Sequence, residues 1–235
     1  MDQEELNLKN QRLWRELHKE GRHRPKYPRE DVIRFVFKNF SRDGSEKILD
    51  LGCGAGRHVI FMASEGILPY GLDFSDSGVE YTKSMLVEMG SPEYAENIKV
   101  GSAADIPFSD EMFDGLICNG VLLYMNVSDI KRAAREIYRV LRNGGKALIL
   151  IRSTDDYRCK SSSAVPTEER NTFIIHEGDA SRSASCEDGM LMHFFEKEEI
   201  QELFQDFSSI VIDRITVTHD NETYADDDYL VTCTK

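Results

Sequence analysis

The run Ile48-Leu49-Asp50-Leu51-Gly52-Cys53-Gly54-Ala55-Gly56 constrains the fold more than any other stretch of the chain. Apolar residues lead into a turn with three glycines, and a helical pattern over residues 59–65 begins just after it. Glycine tolerates positive φ and leaves no Cβ between backbone and ligand. The new helix points its free N–H groups and positive dipole end at whatever lies over the turn. By itself, such a turn suits any nucleotide-like ligand.

The rest of the chain continues the rhythm that the turn begins. Strands are predicted at 47–51, 68–74, 98–101, 115–119 and 146–152, with helices at 78–89 and 129–141. Gly144 and Gly145 stand where the second of these helices should end. This alternation implies a mostly parallel sheet with helices on both faces. Two closing strands, 210–218 and 229–234, lie close enough to pair antiparallel, joined by a polar loop containing Asp226, Asp227 and Asp228. A helix at 198–207 precedes them. The expected fold is a doubly wound α/β domain over residues 1–235: a seven-stranded sheet with an antiparallel last strand, a helical leader at 1–40 and an insertion after the fifth strand.

The leader starts with a helix at 4–20 that Pro25 and Pro28 terminate, and a second helix carries Val32, Ile33, Phe35, Val36 and Phe40. The insertion, 153–195, is polar and too long for an ordinary connection. Two apolar pieces in it, 172–176 and 190–195, predict a hairpin or lid over the carboxyl edge of the sheet.

Two acids narrow the ligand. Asp73 ends the second strand, 17 positions after Gly56, where the topology brings it beside the first turn. A carboxylate there accepts hydrogen bonds from both hydroxyls of a ribose. Asp50 ends the first strand, where a pyrophosphate would disfavour a negative charge and a ligand bearing an ammonium and a sulfonium would favour it. S-adenosylmethionine carries both, with a ribose, an adenine and no phosphate. It is the expected cofactor, with S-adenosylhomocysteine as product.

Four ordered segments carry a resemblance. Asp50-Leu51-Gly52-Cys53-Gly54-Ala55-Gly56, Gly71-Leu72-Asp73-Phe74-Ser75, Ala103-Ala104-Asp105-Ile106-Pro107-Phe108 and Phe113-Asp114-Gly115-Leu116-Ile117-Cys118-Asn119-Gly120 resemble the motifs of class I S-adenosylmethionine-dependent methyltransferases over roughly residues 30–152. The resemblance implies that Gly52, Gly54 and Gly56 line the methionine part of the cofactor and that Asp50 serves its ammonium. It implies that Asp73 holds the ribose, that Phe74 packs on the adenine, and that Ala104 and Asp105 meet the adenine edge. Asn119 would offer its backbone carbonyl near the ammonium. Family members often close the pocket from the leader with an aromatic or basic residue, which makes Trp14, Arg24 and Tyr27 the candidates. Where many relatives carry a histidine after the fourth strand, this chain has Leu122-Leu123-Tyr124, so Tyr124 is expected to orient the acceptor instead.

The sulfonium is an activated donor, so alignment is the main task, and a base is needed only if the acceptor must lose a proton. His193, within the lid, is the candidate base; His176 is weaker, and His58 is expected to cap or pack its helix. Arg152 is a candidate for a substrate carboxylate or phosphate, or for a surface salt bridge. The net charge of −13 repels phosphate backbones and favours a small molecule over nucleic acid. Eight basic residues between Lys9 and Arg29 are the local exception, either a solvated helix face with its exit loop or a contact for an anionic substrate, RNA included. Five scattered cysteines without a CxxC pair fit reduced thiols in a cytoplasm and no zinc site. No run approaches the roughly 18 apolar residues of a membrane span. The sequence does not fix an oligomeric state. Two other functions compete: a dehydrogenase using a dinucleotide, which would want G-x-G-x-x-G and no Asp50, and a protein that binds S-adenosylmethionine without catalysis.

Overall fold

The structure, a computed structural model, describes residues 3–21, 23–179, 182 and 186–235. Arg22, one of the eight basic residues of the leader, lies outside the described residues.

The central sheet is built from β1 (Lys47–Leu51), β2 (Leu68–Asp73), β3 (Ile98–Val100), β4 (Phe113–Asn119), β5 (Leu141–Arg152), β9 (Ser209–His219) and β10 (Tyr224–Thr234). Their order is β3-β2-β1-β4-β5-β10-β9. Strands β1 to β5 run parallel, and β10 is inserted antiparallel between β5 and β9. Order reverses at β1, which has β2 on one side and β4 on the other. That switch point opens a crevice at the carboxyl ends of the strands.

Both faces of the central strands are buried, which explains their unbroken apolar runs. Ile48, Ile117 and Leu148 face one way, onto Val32, Phe35 and Val36 of α2 (Glu30–Asn39) and Met62 of α3 (Arg57–Ser64). Their neighbours Leu49, Leu116, Ala147 and Ile149 face the other way, onto α5 (Val127–Val140) and α6 (Lys197–Leu203). Helix α5 presents Ile130, Ala133, Ala134, Ile137 and Val140 at helical spacing, and the Asn126 side chain caps it by accepting from Asp129 N at 2.8 Å. Helix α4 (Asp76–Glu88) is capped in the same way by Ser75. No described helix is long and apolar enough to cross a membrane.

Three expectations are corrected. Asp226, Asp227 and Asp228 do not form the loop between the last strands; they are rungs of β10, opposite Val217, Thr216 and Ile215. The strand tolerates them because Arg158 bonds Asp226 and Arg214 bonds Asp227, while Arg152 lies 3.9 Å from Asp228. The turn itself is made by Asp220, Asn221 and Glu222, all at positive φ. Second, α5 passes directly into β5 at Leu141, so Gly144 and Gly145 sit within the start of that strand, beside a register shift against β4. Third, the insertion is more than a hairpin: β6 (Val165–Pro166), β7 (Thr172–Ile174) and β8 (Leu191–His193) form a separate three-stranded antiparallel sheet.

Candidate active site

The crevice over β1, β2 and β4 is a cleft walled by the glycine turn, by the leader helix α1 (Gln3–Lys19) and by residues after β4. Gly52, Gly54 and Gly56 all have positive φ, at 76°, 52° and 82°. Gly52 needs its hydrogen for a second reason, since a Cβ there would lie 2.1 Å from Val121 Cγ2. The turn is tied to β2: Gly52 N and Cys53 N both donate to Leu72 O, and Gly54 N donates to Asp73 Oδ2 at 2.8 Å. Ser75 N donates to Asp73 Oδ1, which fixes the carboxylate at the mouth of the cleft. Burial outweighs these donors and pushes the Asp73 carboxyl up to about 6.

Below the turn lie two acceptor atoms without a described partner. Asp50 is 1% exposed; its Oδ1 meets His58 Nδ1 at 3.3 Å, while its Oδ2 is buried and unbonded. Asn119 Oδ1 is likewise buried and unbonded. Buried acceptors normally find donors. Asn119 lines the crevice and Asp50 lies beneath it, a pair that suits a ligand bringing N–H groups and positive charge, and the glycine cradle leaves room for its backbone-close approach.

The leader forms the roof. Trp14 is buried against Tyr124, His23 and His18, with ring centroids 5.1, 5.0 and 5.8 Å away. His18 lies over Gly54; burial, with His23 and Arg24 nearby, lowers it to about 4, so it is neutral at physiological pH. Burial and Arg57 also lower His23, against the opposing pull of Glu187. Asn10 fastens the roof to the insertion: its Nδ2 donates to Tyr124 O and Leu191 O, and its Oδ1 accepts from Leu191 N. The Tyr124 hydroxyl donates to Glu187 at 2.6 Å; burial, with Glu187, holds the phenol far above its ordinary range. Glu187 is held in turn by Arg158 Nε at 2.7 Å.

The structure thus brings Trp14, Gly52, Gly54, Asp73, Phe74, Asn119 and Tyr124 to the cleft, with Asp50 beneath it. Other expected residues go elsewhere. Gly56 packs on Thr82 instead of lining the cleft. Arg24 is used at the end of α1, where Nε and Nη2 donate to His18 O, and it stacks on Tyr81. Tyr27 is 75% exposed. Gly101, Ser102 and Ala103 line the wall where Ala104 and Asp105 were expected; Asp105 N donates back to Ser102 O, and this turn directs its side chain to solvent.

His193 is not brought to the cleft either. It is 2% exposed, with Nδ1 on Thr172 Oγ1 at 2.7 Å and Nε2 on Glu199 at 2.9 Å. These contacts pin β8 to β7 and α6. His193→Ala is therefore expected to cost about 1–3 kcal/mol of stability, through the lost buried bonds to Thr172 and Glu199, with cofactor affinity unchanged. Chemical denaturation and titration calorimetry check both halves. His176 sits in an exposed pairing with Asp188, and His58 is buried under Asp50 and also lines the cleft. Arg152 belongs to a buried ion cluster with Asp156, Glu187, Asp226 and Asp228.

Sequence reasoning missed Asn10, His18, His23, Arg57 and Glu187. A signal existed for two of them: Asn10 and His18 fall in the stripe of Leu6, Trp14 and Leu17, and a polar residue on a buried helix stripe needs a partner.

Residues 49–149 match the family model described as a methyltransferase domain. Over 127 residues the chain is 34% identical to the ubiquinone/menaquinone biosynthesis C-methyltransferase of Geotalea daltonii, covering 52% of each protein. Over residues 49–149, less than half of its length, the chain is similar to methyltransferases. It is also similar to the O-methyltransferase resE of Aspergillus sclerotiorum, 32% identical over 51% of this chain and 45% of that one. The chain thus spans about half the length of the relatives it matches. Among methyltransferases of known structure, it shares its fold with the Burkholderia thailandensis 1,6-didemethyltoxoflavin-N1-methyltransferase, solved with 1,6-didemethyltoxoflavin and S-adenosylhomocysteine. That likeness has a TM-score of 0.69 at 14% identity and covers 100% of this chain and 91% of that one. The unbonded acceptors and the glycine cradle fit S-adenosylmethionine.

Proposed function

We propose that the chain transfers the methyl group of S-adenosylmethionine to an oxygen or nitrogen of a small-molecule acceptor, in the cytoplasm. The pair of unbonded buried acceptors, Asp50 Oδ2 and Asn119 Oδ1, carries this reading. They favour a cationic ligand, and a dinucleotide's pyrophosphate would meet repulsion there. Gly52 and Gly54 would flank the methionine part, with Asp73 on the ribose and Phe74, Ser102 and Ala103 around the adenine.

The bound cofactor supplies an electrophilic methyl group on a positively charged sulfur. The chain supplies enclosure and alignment, which together are worth about 7–11 kcal/mol of barrier in well-oriented reactions. Trp14 and Tyr124 form the apolar side of the acceptor space. Tyr124 stays a neutral phenol and orients the acceptor, because Glu187 fixes its hydroxyl. His23 lines the cleft, its imidazole lowered from its ordinary range by burial and Arg57, and is a candidate to take a proton from an acceptor hydroxyl or amine. A small acceptor fits a cleft roofed by α1. Arg15 donates to Phe74 O, Arg24 to His18 O and Arg29 to Asp31, which favours a packing role for these three leader cations over an RNA-binding one.

Calorimetry with S-adenosylhomocysteine and with nicotinamide dinucleotides tests the cofactor, and transfer of labelled methyl to metabolite pools tests the activity. Dinucleotide binding in place of S-adenosylhomocysteine would overturn the proposal. The ribose role of Asp73 also has a pH signature. Its carboxyl must be ionised to accept two hydroxyl hydrogens, and its ordinary 3.8 is raised to about 6 in the free protein. Ligand binding should therefore release a proton near that pH, and affinity should be about tenfold weaker at pH 5 than at pH 8. Asp73→Asn should lose about 1–3 kcal/mol of affinity and flatten this part of the profile. An unchanged affinity in a folded variant would remove the ribose assignment.

A further inference from the structure

Arg57 is the first residue of α3, directly after the glycine turn, and its side chain lines the cleft. It forms no hydrogen bond or ion pair with another described side chain, whereas Arg24, Arg29, Arg152 and Arg158 are all engaged. Its setting opposes a positive charge in two ways. Burial pulls the guanidinium below its ordinary range, only partly offset by Asp50 and Asp31 and opposed further by Arg29. The residue also sits at the positive end of a helix dipole, where anions and not cations are stabilised. A half-buried guanidinium left unpaired there, beside free helical N–H groups, is the donor half of a site for an anion.

The acceptor half lies alongside. Asp50 is close enough to act on Arg57 electrostatically, and its Oδ2, like Asn119 Oδ1, is buried and unbonded. The cleft therefore has an unpaired cation and an unpaired acceptor, Asn119, on its wall, with a second acceptor, Asp50, beneath it. A free ammonium or a free carboxylate alone would satisfy only half of it. A zwitterionic α-amino acid group satisfies both halves at once, with its ammonium toward Asp50 and Asn119 and its carboxylate toward Arg57.

We infer that Arg57 holds the carboxylate of the cofactor's methionyl group. The inference rests on the reading of the cleft as a cofactor site, and its test separates the two. S-adenosylhomocysteine is compared by calorimetry with S-adenosyl-3-thiopropylamine, the same molecule without the carboxylate. The unaltered chain should bind the carboxylate-bearing ligand about tenfold or more tightly, as a charge-assisted bond of 1.5–3 kcal/mol implies. Arg57→Met should erase that preference by weakening only the carboxylate-bearing ligand, and Arg57→Lys should restore part of it. Equal binding of the two ligands by the unaltered chain overturns the inference, with no variant needed. So does a preference that survives Arg57→Met. Failure of the unaltered chain to bind either ligand instead overturns the reading of the cleft.

Discussion

Arg158→Ala is expected to lower the stability of the fold by about 3–5 kcal/mol, the usual cost of stranding buried charges. Arg158 is 3% exposed and holds three carboxylates together: Asp156 at 3.1 Å, Glu187 at 2.7 Å and Asp226 at 2.8 Å. Asp156 is fully buried, so without the guanidinium its charge has little water to turn to. Arg152 remains near the same three carboxylates, at 3.1–3.9 Å, but it is already shared among them and Asp228. Urea denaturation at pH 7.5 reads the loss directly. A loss below about 1 kcal/mol, the range of an exposed ion pair, would show that water reaches the cluster.

Gly52→Ala is expected to damage both the fold and the cleft. The new Cβ would meet Val121 Cγ2 at 2.1 Å, and the backbone there has a φ of 76°. Left-handed backbone costs a residue with a Cβ about 1–2 kcal/mol, and overpacking adds about 1–3 kcal/mol. Val121 follows the segment that carries Asn119, so relief by shifting Val121 would also displace an acceptor from the cleft. Loss of S-adenosylhomocysteine binding should therefore accompany a lowered melting temperature. The double variant Gly52→Ala/Val121→Ala should recover the packing part and retain the backbone part. Unaltered melting in the single variant would mean that the turn relaxes at no cost.

The sheet and the placement of the glycine turn were legible because local chemistry decides them. A strand that enters three glycines and leaves as a helix has few conformations, and Asp73 follows from the length of one βαβ unit. What failed depended on partners distant in sequence. The acids at 226–228 look like a solvated loop until Arg152, Arg158 and Arg214 come alongside. Arg24 and Arg57 are equally plausible as pocket cations on paper. Only the fold shows that the end of α1 consumes one of them and leaves the other unpaired. The resemblance puts Asp105 at the adenine edge, yet a local turn gives the wall to Ser102 and Ala103. His193 attracted a role as a lone histidine, but Thr172 and Glu199 account for both of its ring nitrogens.

Trp14 is the chain's single tryptophan, and it stands in the roof of the cleft against Tyr124 and two histidines. Its indole emission therefore comes from one place in the molecule. Occupancy can be followed optically on the unmodified polypeptide, without a dye and on the millisecond scale of a stopped-flow instrument.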